Sequence, residues 1–271
     1  MNNARLLVAI VVLWLLTAAL TRASGFGIGC EVIVENVVKF FVFTLAASIL
    51  SYYLATNPAP LNDALMVKVD SLLGFSWPHF FAWVLNNEPI GLVLTYVYDS
   101  FLPQVVLVLL FVGVIYPNRP NRFVTAYFVS TFLTLLTFAL FPVAGPFVFF
   151  QHLDMPGAHY VEHYLAMRSG ALTTIPLDDL RGIVSFPSFH VSSALIIVYF
   201  LRGLPVVFPL AISVNAGMSV AALYVGGHYL SDALGGLVVG VVTIAFIQWL
   251  EGAGPEPRLA FRRRDLTKRP E

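Results

Sequence analysis

Phe186-Pro187-Ser188-Phe189-His190 and Gly226-Gly227-His228-Tyr229-Leu230-Ser231-Asp232 decide how this chain is read. Between His190 and His228 the sequence is apolar and is broken only at Arg202-Gly203-Leu204-Pro205. That leaves room for two helices of roughly 17 to 19 residues, close to the ~20 needed to cross a hydrocarbon core, so the chain crosses and returns. Both histidines are therefore expected at the same membrane face. A serine, two histidines and an aspartate at the ends of apolar helices are costly to keep there, which makes them functional candidates.

Working outward, composition sets the class. The 271 residues are 58% hydrophobic and 11% charged, with a mean hydropathy of +0.83, whereas a soluble domain carries about 25% charged residues. An ordinary soluble protein is excluded. The fold expected is all-α, a polytopic membrane bundle of six to seven transmembrane helices with interfacial amphipathic helices. Spans are expected at about 5–21, 33–55, 99–116, 122–142, 190–203, 206–224 and 230–250, each near the length a bilayer requires. The stretch from 57 to 98 is interrupted by Asn62, Asp63, Lys68, Asp70, His79, Asn86, Asn87 and Glu88, a pattern that fits helices lying in the interface. Residues 1–98 thus hold N-terminal spans and interfacial helices, 99–251 the helix bundle that carries the chemistry, and 252–271 a basic tail. The single cysteine, Cys30, rules out an internal disulfide.

Charge orients the bundle. Arg119, Arg122, Arg202, Arg258, Arg262, Arg263, Arg264, Lys268 and Arg269 fall on one side of this span scheme, which the positive-inside rule makes cytoplasmic. Asp154, Glu162, Asp178 and Asp179 gather on the other side with both histidines. A bacterial inner-membrane protein is expected, with a cytoplasmic C-terminus and a site facing the periplasm or exterior.

The residue types suit phosphoryl transfer without a metal, which needs a nucleophile, an acid for the departing oxygen, and N–H or positive groups around the phosphoryl oxygens. His228 can attack phosphorus through one ring nitrogen while the other is held. Asp232, four residues on, shares its face if a helix begins near 228 and can hold that nitrogen. His190 then serves as acid to the leaving alkoxide and as base toward water or an acceptor alcohol. The intermediate is a phosphohistidine. Ser188 stands at a helix opening, where free N–H groups favour an anion, and Gly227, with Gly226, lets a phosphate approach the backbone. Arg168 and Arg181 are the arginines on that side; Arg168 is preferred as the phosphate clamp, because Arg181 follows two aspartates able to pair with it. The plainer reading makes His228 and Asp232 a hydrogen-bonded pair on a helix surface, and Arg168 an ordinary interfacial arginine. His159 and His163 stand at helical metal-ligand spacing near His152, but no Cys or carboxylate completes a set. No metal, no cofactor and no nucleic-acid partner is expected. The loop from 147 to 186 is long enough to be a lid over the site.

Pro187-Ser188-x-His190, followed after two spans by Gly226-Gly227-His228-x3-Asp232, resembles the second and third signatures of the type 2 phosphatidic acid phosphatase (lipid phosphate phosphatase) superfamily, especially its inositol phosphorylceramide synthase-like branch. The resemblance covers roughly residues 100 to 250. It implies a membrane lipid phosphate as substrate and a phosphohistidine intermediate. The chain departs from the family pattern at Phe189, where a Gly is usual, at Ala221-Ala222, where Ser-Arg is usual, and at Val112, where the Lys of Lys-x6-Arg-Pro would precede Arg119-Pro120. Two functions remain open within this class: hydrolysis, or transfer of a headgroup to an alcohol such as inositol. A third, a transport or binding protein with a His/Asp relay through the bundle, would place its polar groups at mid-membrane depth.

Overall fold

The computed structural model describes residues 29–251, apart from 113, 114, 117 and 156. The first expected span, 5–21, and the basic tail, 252–271, lie outside the described residues. In chain order the helices are α1 (Gly29–Ala55), α2 (Asp63–Leu72), α3 (Trp77–Leu85), α4 (Glu88–Asp99), α5 (Phe101–Leu107, running into a π turn at Val108–Val112), α6 (Arg119–Leu140), α7 (Pro146–Phe149), α8 (Val161–Ser169), α9 (Phe189–Leu201), α10 (Val207–Tyr224) and α11 (Leu230–Glu251). No strand occurs among the described residues.

Among the described residues, five helices are long and apolar enough to cross a membrane: Ile33–Ala55, Glu88–Leu110, Arg119–Leu140, Val207–Tyr224 and Leu230–Leu250. The shorter α9 is packed among them, with Val191, Ile196, Ile197 and Phe200 buried. The helical bundle expected from composition is the fold observed. One boundary moves: the span expected at 99–116 starts at Glu88, so of the stretch 57–98 only α2 and α3 remain as short helices outside the long ones. The polar pair Asn86-Asn87 sits ahead of this span, and Pro103, which has no N–H to give the Asp99 carbonyl, breaks it at Ser100 into α4 and α5.

Hydrogen bonds between chain-distant groups fix the helix directions. Asn36 Nδ2 donates to Asn121 Oδ1 at 2.8 Å near the starts of α1 and α6, and Asn57 Nδ2 donates to the Ala139 carbonyl at 2.8 Å near their ends, so these helices run parallel. Arg119 Nη1 donates to the carbonyls of Phe200 and Arg202 at 2.8 and 2.7 Å, bringing the start of α6 to the end of α9. Its guanidinium also lies 3.7 Å over the Tyr116 ring. The Arg119-Pro120 pair therefore closes the end of the bundle opposite the histidines.

Small residues let α11 approach α9 closely. A Cβ on Gly236 would lie 2.3 Å from the Ser188 carbonyl, and one on Gly240 would lie 3.1 Å from the Ser192 carbonyl. Close backbone approach over a small-xxx-small stripe is a device of membrane helix packing. Ser192 Oγ also meets Ser130 Oγ of α6 at 2.9 Å. At the histidine end an aromatic cluster of Tyr52, Trp77, Phe81, Phe147, Tyr160 and Tyr164 fills the space between α1, α3 and the 147–186 loop, with Trp77 Nε1 donating to the Leu223 carbonyl at 2.8 Å.

Candidate active site

Both sequence motifs open helices at the same end of the bundle. In the first, Ser188 precedes α9 in an extended conformation; its N–H donates to the Asp232 carbonyl at 2.9 Å. The second turns through Gly227, with φ +58°, and enters α11 at Leu230. Helix starts leave N–H groups without intrahelical partners. Here they are supplied by carboxylates: Asp70 of α2 accepts from Leu230 N and Ser231 N at 2.9 and 2.8 Å, and Asp232 Oδ2 accepts from Tyr229 N at 2.9 Å.

Asp63, seven residues before Asp70 on α2, holds the neighbouring loop in the same way. It accepts from Ala144 N at 3.0 Å, Gly145 N at 2.9 Å and the Tyr229 hydroxyl at 3.0 Å. Burial pushes its carboxyl up from the ordinary range, against the pull of those donors. Asp63 and Asp70, expected from the sequence on a helix lying in the interface, thus clamp the loops on either side of the site.

His228 is 4% exposed and Asp232 is fully buried. His228 Nδ1 lies 3.5 Å from Asp232 Oδ2, and that oxygen is fixed from a third direction by Ser185 Oγ at 2.8 Å. His190, partly buried at the start of α9, stacks on Tyr98 with ring centroids 4.2 Å apart, and its Nδ1 meets the Tyr98 hydroxyl at 3.2 Å. Both histidines line one cavity of about 230 Å³, together with Tyr98, Gly226, Arg181 and residues of α1 and α6. A Cβ on Gly226 would fall 2.9 Å from His228 Cδ2 and 3.1 Å from the Tyr98 hydroxyl, so no side chain fits between them.

The other expected site residues divide. Ser188 is buried with its hydroxyl lacking a hydrogen-bond partner among the described residues, and it is not part of the cavity wall. Gly227 serves packing: a Cβ there would meet the Phe147 ring at 2.4 Å, and its positive φ suits glycine. Its neighbour Gly226 is the glycine at the cavity. Arg168 is not brought to the site; its guanidinium donates to the carbonyls of Asn57 at 2.5 Å and Ala59 at 2.8 Å, tying α8 to the connection between α1 and α2.

Arg181 is the cation that lines the cavity. Asp179 engages it, at 2.6 Å from Nη2 and 3.2 Å from Nε, and the His159 carbonyl accepts from Nη1. Arg181 holds the exposed Asp179 carboxyl below the usual range, while burial and the same arginine lower His159. Tyr52 completes the arrangement, its hydroxyl accepting from Arg181 N at 3.0 Å and meeting His163 Nδ1 at 2.7 Å. His163 thus ties α8 to Tyr52 of α1, and no group of three or more metal-ligating side chains occurs among the described residues.

Sequence reasoning missed Tyr98, Ser185 and the choice of Arg181. Ser185 had a visible cue, five residues before His190 at the same helix opening; Tyr98 and Arg181 reach the site only through tertiary packing.

No curated protein and no solved structure matches this sequence. The sequence model of the PAP2 superfamily matches residues 64–246, a stretch that takes in α2 to α10, most of α11 and both histidine motifs. The chain is a member of the PAP2 superfamily, whose membership suggests lipid phosphatase or phosphotransferase activity.

Proposed function

We propose that this protein transfers the phosphoryl group of a membrane lipid phosphate through a phosphohistidine on His228, without a metal, at the outer membrane face. The observation that carries this reading is the convergence of His190 and His228 on one cavity, with Asp232 Oδ2 3.5 Å from His228 Nδ1. Held at Nδ1, His228 presents Nε2 to phosphorus, and the carboxylate stabilises the imidazolium formed on attack. His190 protonates the departing alkoxide and then takes the proton of the incoming water or alcohol. Arg181, rather than Arg168, meets the phosphoryl oxygens. The polar groups stand at helix ends and in the adjoining loop, which favours an enzyme over a relay running through the bundle.

Orientation follows from charge: the arginines at the far end of α6 and α9 put that end in the cytoplasm and the cavity at the outer leaflet of a bacterial inner membrane. A bundle cavity walled by α1 and α6 admits the lipid chain from the side while the headgroup meets the histidines. A panel of lipid phosphates, offered with and without free inositol, tests the reading by phosphate release and by new lipid products. Turnover that vanishes in His228→Ala and His190→Ala is the expected result; turnover retained in His228→Ala removes it as nucleophile. A new inositol-bearing lipid would assign transfer, and free phosphate alone would assign hydrolysis.

A further inference from the structure

We infer that Tyr98 is the positioning residue for His190, fixing the ring so that Nε2 alone exchanges protons with the substrate. Four observations converge on it. The Tyr98 hydroxyl lies 3.2 Å from His190 Nδ1. Its ring stacks on the imidazole at 4.2 Å, tilted by 25°. Phe101 closes another side of His190 edge-on at 5.3 Å. Gly226 leaves the space between Tyr98 and His228 open, since a Cβ there would crowd both. The imidazole therefore has the Tyr98 hydroxyl as polar neighbour of Nδ1, and the residue lines the cavity that His228 also lines.

The two histidines have chemically different partners, and the difference matches the work each does in the reading proposed above, on which this inference rests. His228 faces a carboxylate, which stabilises the positive ring formed when its nitrogen bonds to phosphorus. His190 faces a neutral phenol. As imidazolium, His190 keeps its Nδ1 proton on the Tyr98 oxygen and gives the Nε2 proton to the alkoxide as the phosphorus–oxygen bond breaks. It is then a neutral imidazole with the same Nδ1–H held, and the bare Nε2 takes the proton of water or an acceptor alcohol as that oxygen bonds to phosphorus and the phosphorus–nitrogen bond breaks, returning the His228 imidazole. A phenol oxygen fixes the ring through both halves without the charge that would hold the departing proton back.

Tyr98→Phe keeps the stack and removes only the hydroxyl. The test compares kcat/KM, which reports steps through phosphorylation, for a dialkylglycerol phosphate and for p-nitrophenyl phosphate. The alkoxide leaving group needs a proton, whereas nitrophenolate departs without one. Tyr98→Phe is expected to lower kcat/KM for the dialkylglycerol phosphate roughly tenfold or more, with little loss for the nitrophenyl ester, and to displace the alkaline limb of the pH profile for the lipid alone. His190→Ala should show the same selectivity with a larger loss. Equal losses on both substrates, or no loss on either while His190→Ala is impaired, would overturn the role of Tyr98 and leave the phosphohistidine reading standing. A parent protein that turns over neither substrate nor any of the panel would overturn that reading, and this inference with it.

Discussion

Gly236→Ala probes how tightly the two motif helices are locked together. The new methyl would sit 2.3 Å from the Ser188 carbonyl oxygen and 3.1 Å from Val191 Cβ. A carbon and a carbonyl oxygen ordinarily approach no closer than about 3.3 Å, so the helices must part by roughly 1 Å. Neither side yields easily, because both contacts are at the backbone or its first side-chain carbon, and the Ser188 N–H is already bonded to the Asp232 carbonyl at 2.9 Å. Overpacking of this kind costs about 1–3 kcal/mol. The displacement also separates His190, two residues from the clash, from Asp232 and His228, and a misplacement of ~1 Å can lower turnover about 10²-fold. Thermal unfolding of the detergent-solubilised protein and phosphate release from a lipid phosphate read the two effects. Gly91→Ala is the control, since its Cβ would meet Tyr224 at an ordinary 3.4 Å. Parent-like stability and turnover in Gly236→Ala would refute the close α9–α11 contact as the element that registers the site.

Asp232→Asn should lower turnover by at least 10- to 100-fold, because an amide can neither steady the His228 imidazolium nor accept equally from Ser185 and Tyr229; unchanged kcat would remove its orienting role. Arg181→Gln should raise KM for a lipid phosphate about tenfold or more, whereas Arg168→Gln should lower thermal stability with KM little changed; the reverse pattern would restore Arg168 as the clamp. Arg119→Met should destabilise the protein by about 1–3 kcal/mol through the stranded carbonyls of Phe200 and Arg202, with KM unaltered, as chemical denaturation would register. Activity should persist in EDTA, and loss restored by a single divalent ion would overturn the metal-free scheme.

Much of this was legible because it is local. Apolar runs of membrane length announce themselves, and His228 and Asp232 stand four residues apart at the opening of one helix. Positions 88–98 were harder: Glu88 and Asp99 bracket an apolar segment whose ends look interfacial, yet it forms the first half of a span broken at Ser100. The carboxylates of Asp63 and Asp70 carry no local sign of their partners, which lie 81 and 160 residues away. The sequence favoured Arg168 over Arg181, and packing puts Arg181 at the cavity. The two aspartates that seemed to neutralise Arg181 include the one that holds it at the rim, while Arg168, with no acid beside it, satisfies two backbone carbonyls instead. Gly227 was marked as letting a phosphate approach the backbone, whereas the group that occupies the place of its Cβ is the ring of Phe147.

Thr44, Ala47, Ser48 and Ser51 of α1 form one wall of the cavity that holds both histidines, and all four lie upstream of the stretch that matches the superfamily. The two histidines and the facing wall from α6 lie inside that stretch, so only one side of the cavity is written ahead of it. Substitutions along that helix would reshape one side of the cavity without altering either histidine motif.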